Sequence, residues 1–195
     1  MTARLRTTRA GQSALLLLDV ADVLASEGLD YVVIGAFALA VHGTVRATTD
    51  ADALVRASAQ RLKQAVPAFE RAGLAAPFRQ GDHDDPVPAL LQLHDAHGNG
   101  VSLLAGLRGL DPGTFDRTLS VALRDGTLRI ASREDFIAMN CFAGGAQDLE
   151  DARRACHHPG ATVDLDRLWG ATRHFGAAAC QNLDAVLATP DPRPA

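Results

Sequence analysis

VVIGAFALAVHGTVRATTDADALV, residues 32–55, decides how the chain is read. Tyr31-Val32-Val33-Ile34 is an unbroken apolar run of strand length, rich in β-branched residues. Gly35-Ala36 turns it into a short helix that ends near His42-Gly43, and Asp50 to Val55 forms the next strand. Alternate residues of a strand share a face, so Asp50 and Asp52 point the same way with Cα atoms about 6–7 Å apart. Their oxygens can converge on one cation. Magnesium suits such a pair, because it takes one or two carboxylates and completes its octahedron with waters and phosphate oxygens. The helix opening at Gly35-Ala36 adds backbone N–H groups and a positive dipole end for those phosphates.

Outward from this stretch the pattern alternates between sheet and helix. Ser13 reads as the cap of a helix running to about Glu27, with Leu16, Val20 and Leu24 on one face and Gly28 as its stop. Ala57 to Ala72 is an amphipathic helix, and Gly81 to Pro88 a polar loop broken by prolines. Leu90–Ala96 and Val101–Ala105 flank His97-Gly98-Asn99-Gly100 as a hairpin, and Leu119–Leu123 pairs with Thr127–Ala131 across Asp125-Gly126. Ser132 caps the first of a set of helices, with Asp135 three residues on, followed by helices near 147–156, 162–174 and 176–188. The expected class is α/β of the α+β kind, a mixed sheet with flanking helices and a helical C-terminal part. The divisions are a flexible arm at 1–10, a core at 11–131, a helical part of the same unit at 132–188, and a flexible tail at 189–195.

Composition narrows the function. With 195 residues, 47% of them hydrophobic, the chain can bury a sizeable core. A net charge of -4 argues against general DNA or RNA binding, which needs surplus cations to displace counterions. Lys63 is the single lysine among 19 basic residues, so little lysine is available for chemistry. Cys141, Cys156 and Cys180 are odd in number and widely spaced, which suggests neither disulfides nor a zinc site and fits a reducing cytoplasm. The apolar run Ala14–Leu18 is too short to span a membrane, and no export signal precedes it.

A Gly-small pair after a strand, then His-Gly, Arg, Thr and Asp-x-Asp, resembles the signature of the nucleotidyltransferases with the DNA-polymerase-β-like fold, in the compact bacterial form of AbiEii-type proteins. Residues 132–155, SREDFIAMNCFAGGAQDLEDARRA, resemble the helical segment of that family, with its Ser-x-Glu-Asp start, Ala-Gly and Asp-Leu-x-Asp. The resemblance implies that Gly35 and Ala36 touch nucleotide phosphates, with Arg46, Thr49 and Ser102 also at the nucleotide. It implies that Asp50 and Asp52 hold Mg2+ for transfer of NMP from an NTP to a protein, RNA or small-molecule acceptor. It further implies a toxin-like role with a cognate antitoxin-like partner.

The departures from the family pattern are specific. Its third carboxylate falls at Ser102, and a lysine of its helical segment is replaced by Asn140. Loss of a general base costs about 10²–10⁴-fold in rate, which opens the alternative of a decayed protein that binds nucleotide or a partner without turnover. With the turn centred on Gly98-Asn99, Asp95 is expected opposite Ser102, where it supplies the missing carboxylate as a catalytic group. His83-Asp84-Asp85 and His94-Asp95-x-His97 contain metal-binding residue types, yet one lies in a proline-bounded loop and the other straddles a hairpin, so neither reads as a dedicated metal site. Asp148 and Asp151 read as an exposed helix face, and Trp169 and Phe175 as anchors of the C-terminal helices.

Overall fold

A computed structural model describes residues 5–82 and 84–188. The elements run α1 (Ser13–Ser26), β1 (Tyr31–Ile34), α2 (Gly35–Val41), β2 (Asp50–Val55), α3 (Ala59–Arg71), β3 (Phe78–Gln80), β4 (Ala89–His94) and β5 (Gly100–Ala105). After a 3-10 turn at Pro112–Phe115 come β6 (Leu119–Leu123), β7 (Gly126–Ile130), α4 (Arg133–Ala143), α5 (Ala146–His157), α6 (Leu165–His174) and α7 (Ala177–Ala188). The strands form one mixed sheet in the order β3-β4-β5-β2-β1-β7-β6. β2 runs antiparallel to β1 and parallel to β5, so the Asp-x-Asp strand lies in the interior of the sheet.

Strand periodicity assigns the two faces. Ala51, Ala53, Leu91, Leu93, Val101 and Leu103 are buried, on the face that α1 and α3 cover. Between them, Asp50, Asp52, Ser102, Gln92 and His94 are half-buried or exposed and lie on the opposite face. α1 is apolar nearly all round, with Leu15 to Leu18 all buried, because it is wedged between sheet and neighbouring helix. Its expected cap is different in detail. Gln12 occupies the cap position with its side chain turned to Thr8 N and Arg9 N rather than to the helix, while the Ser13 hydroxyl donates to Thr49 O and accepts from Gly100 N, joining the helix to the starts of β2 and β5.

The remaining differences from the sequence reading are local. The second hairpin turns at Arg124-Asp125, with Leu123 opposite Gly126 and Arg124 at φ 51. β3 is a three-residue edge strand, too short to show a period. Ser132 does cap α4, accepting from Asp135 N and donating to Asp135 Oδ2. Of the expected arm, residues 1–4 lie outside the described residues, as does the tail at 189–195. Residues 5–10 are tied down: Arg6 bonds Asp19, Asp22 and Asp125, and Asn99 Nδ2 donates to Arg9 O. The C-terminal helices share the core with the sheet through Phe136, Ile137, Ala152 and Leu168. Among the described residues no helix is long and apolar enough to cross a membrane.

Candidate active site

The chain enters the site at the end of β1. Gly35 has φ +64, where L side chains are strained, and a Cβ there would lie 2.6 Å from Asp52 Oδ2. Glycine is therefore required twice, once by backbone conformation and once by the carboxylate against it. Ile34 caps α2 without a side-chain bond, so the first-turn N–H groups of this short helix are not taken up by a capping side chain.

Asp50 and Asp52 project from β2 on the face opposite α1 and α3, in two rows that cross the sheet. In the outer row Asp50 pairs with Gly100, which in turn pairs with His94. A Cβ on Gly100 would collide with Asp50 Oδ1, so the missing side chain is what gives this carboxylate its place. Thr49 Oγ1 donates to Asp50 Oδ2 at 3.3 Å. In the inner row Asp52 pairs with Ser102, and Ser102 with Gln92. Burial pushes the Asp52 carboxyl above its ordinary range, and the charge of Asp50 adds to that; Arg46 and a hydrogen bond from Ser102 pull the other way. Two like charges on one strand face, Asp52 half-buried and Asp50 exposed, favour a cation between them.

The donors at this place suit magnesium. They are hard carboxylate oxygens, and a cation would offset both the burial of the Asp52 charge and its repulsion by Asp50. Among the described residues no group of three or more His, Cys, Asp or Glu could hold a metal. The ion would rest on two carboxylates and complete its shell with water and substrate oxygens, as magnesium commonly does.

The sheet face, α2 and α4 enclose a cavity of about 320 Å³ lined by Gly35, Arg46, Asp52, Asn140 and Asp148, with Leu54, Met139 and Phe142 as its apolar part. Arg46 reaches it from the loop after α2, where its Nε donates to Asp151 Oδ2 at 2.8 Å. Asn140, at the position of the family's lysine, turns its amide back to Phe136 O. His42 is buried behind the cavity, with Nε2 on Ala131 O and its ring tilted against Phe136. Since a carbonyl only accepts, that nitrogen carries the proton. Burial lowers the pKa of His42 to about 4, with the nearby Arg133 charge adding to the effect.

Gly35, Arg46 and Asp52 thus come together in one cavity, with Asp50, Thr49 and Ser102 beside them. Ala36 is buried behind Gly35. Asp95 does not join them. The register places Gln92, not Asp95, opposite Ser102. Asp95 instead holds the turn, accepting from His97 N at 2.8 Å, Asn99 N at 2.9 Å and Asn99 Nδ2 at 2.7 Å. The hairpin centres nearer His97 than Gly98-Asn99, an odd shift that sends Asp95 away from the site. Asp151 also departs from expectation, being 1% exposed. Its signal was present, because 148, 151, 152 and 155 share one helical face and Ala152 and Ala155 are buried there.

Comparison with solved structures agrees with this architecture. An antigenic nucleotidyltransferase-like protein from Paracoccidioides brasiliensis superposes with a TM-score of 0.56 at 15% identity, over 94% of this chain and 96% of its own. ANT(2'')-Ia, solved in complex with adenylyl-2''-tobramycin, gives 0.58 at 14% identity, over 84% and 96% of the two chains. No protein-family model and no curated protein matches the sequence. At such identities the likeness establishes the fold: the chain has the architecture of the nucleotidyltransferases.

Proposed function

We propose that this protein transfers NMP from an NTP to an acceptor, with the nucleotide held over Gly35, Arg46, Asp50 and Asp52. The observation that supports this most is the pair of carboxylates on the cavity face of β2, with the Gly35 backbone against Asp52 and Arg46 also lining the cavity. Bound magnesium would supply charge neutralisation at the reacting phosphate. The chain's own residues do the rest. Asp50 and Asp52 hold the site negative, Arg46 offers a guanidinium to phosphate oxygens, and Gly35 lets the backbone approach closely. Leu54, Met139 and Phe142 give the base or the acceptor an apolar wall.

The acceptor is a protein, an RNA end or a small molecule. ANT(2'')-Ia was solved with adenylyl-2''-tobramycin, and the cavity here has the size of a small-molecule site. The resemblance to AbiEii-type proteins extends the proposal to a cytoplasmic, toxin-like role beside an antitoxin-like partner, testable by growth arrest on expression.

A second reading is a protein that binds nucleotide without turnover. One observation favours it: the Asp52–Ser102–Gln92 row has no further carboxylate, so no strand residue stands ready to take the acceptor's proton. Incubation with each α-³²P-NTP and magnesium, with host extract and with candidate small molecules, separates the two. Label on an acceptor with the native protein, and none with Asp50→Ala/Asp52→Ala, supports transfer. Nucleotide binding with no label transferred leaves the binding-only reading, and transfer equal in both proteins overturns the assignment of the site.

A further inference from the structure

Arg46 stands on a loop, Thr44 to Thr49, that has no regular structure, and Val45 beside it is 82% exposed. A guanidinium on such a loop samples many rotamers, and fixing it at the moment of binding costs affinity. In this protein the fixing is done beforehand. Asp151, on α5, is 1% exposed, and both of its oxygens are engaged: Oδ1 accepts from Gln147 Nε2 at 2.7 Å and Oδ2 from Arg46 Nε at 2.8 Å. The contact runs from the C-terminal helices, 105 residues along the chain, back to the loop of the nucleotide site. It takes up Nε, the inner nitrogen. Nη1 makes a single long bond to Ala47 O at 3.5 Å, and Nη2 has no hydrogen-bond partner among the described residues.

The geometry points to Asp151 as the positioning residue for Arg46. It clamps the inner edge of the guanidinium, so that the outer edge is presented to the cavity shared with Asp52 as a preformed contact for the nucleotide's phosphates. Gln147 completes the clamp by holding the second carboxylate oxygen. Asp151 itself does not line the cavity and touches no nucleotide. This inference rests on the nucleotide reading of the site and adds to it a residue that acts only through Arg46.

A double-mutant cycle on the Kd for Mg–ATP tests it, using the full chain, Asp151→Asn, Arg46→Ala and the double variant, with melting temperature recorded for each. Asp151→Asn keeps the shape and one acceptor, which guards against loss of the fold. The expected result is weakening of about tenfold in Asp151→Asn, and no further weakening when it is added to Arg46→Ala. An NMR signal of the Arg46 Nε–H, protected from exchange in the free native protein and lost in Asp151→Asn, reports the clamp without any ligand. Equal weakening by Asp151→Asn with and without Arg46 overturns the inference, since Asp151 would then act independently. So does unchanged affinity in Asp151→Asn when the native protein binds Mg–ATP. Failure of the native protein to bind any Mg–NTP overturns the nucleotide reading itself, and this inference with it.

Discussion

At the residue scale the site is organised by charge held under partial burial. Burial, with the charge of Asp50, favours the neutral form of Asp52, so the folded state keeps its proton to higher pH than the unfolded chain. Its contribution to stability is therefore full below the ordinary carboxylate range and is lost as pH rises through the raised value. At pH 7 the ionised group is a cost. Asp52→Asn, of the same shape, is expected to raise the melting temperature of the metal-free protein at pH 7. It should also abolish transfer. A melting temperature unchanged or lowered at pH 7 would show that Asp52 carries no such strain. Asp95 behaves oppositely: burial pushes its pKa up, and hydrogen bonds from Asn99 and His97 outweigh this and hold it low. As a turn residue, Asp95→Ala should cost about 1–3 kcal/mol in chemical denaturation and leave the rate of transfer unchanged. A large drop in that rate without loss of fold would restore it as a catalytic group.

At the scale of elements, the strands and helices with a clear period were legible in the sequence, and the junctions were not. β2 announces itself as alternating Asp and apolar residues, β1 as a short β-branched run, and β5 as a short apolar run after a glycine turn. The β4–β5 register was not legible because the link is a five-residue turn held by the Asp95 side chain, where Gly98-Asn99 suggested a tighter one. Asp151 was missed because a carboxylate on a helix is usually solvated, although its inward spacing with Ala152 and Ala155 argued otherwise. The joint between α2 and α4 has a testable acid sensitivity. His42 has a folded pKa of about 4 against an ordinary value near 6.5, so the unfolded chain takes up a proton first as pH falls. Stability is then intact above pH 6.5 and declines between there and about 4, by as much as about 3 kcal/mol. Denaturation curves for His42→Gln should be flatter over that window than those of the native protein. Parallel curves would place the acid sensitivity elsewhere.

At the scale of the molecule, the sheet supplies the carboxylates and the C-terminal helices supply the opposite wall. Phe136 and Met139 line the cavity, Asp151 holds Arg46, and Arg133 Nη1 donates to both His42 O and Ala155 O. The sheet and the C-terminal helices meet at this cavity and share one continuous buried cluster. The fold class was readable from the order of elements alone. The site was readable only where residues adjacent in sequence also share a strand face, because contacts between β2, the loop before it and α5 cross about a hundred residues. The measurement that bears most directly on the proposed nucleotide site is electron paramagnetic resonance of Mn²⁺ titrated into the protein with ATP present. The native chain should bind the ion with ATP and lose that binding in Asp50→Ala/Asp52→Ala. Equal Mn²⁺ binding by the two proteins, or none by either, would contradict the site placed on β2.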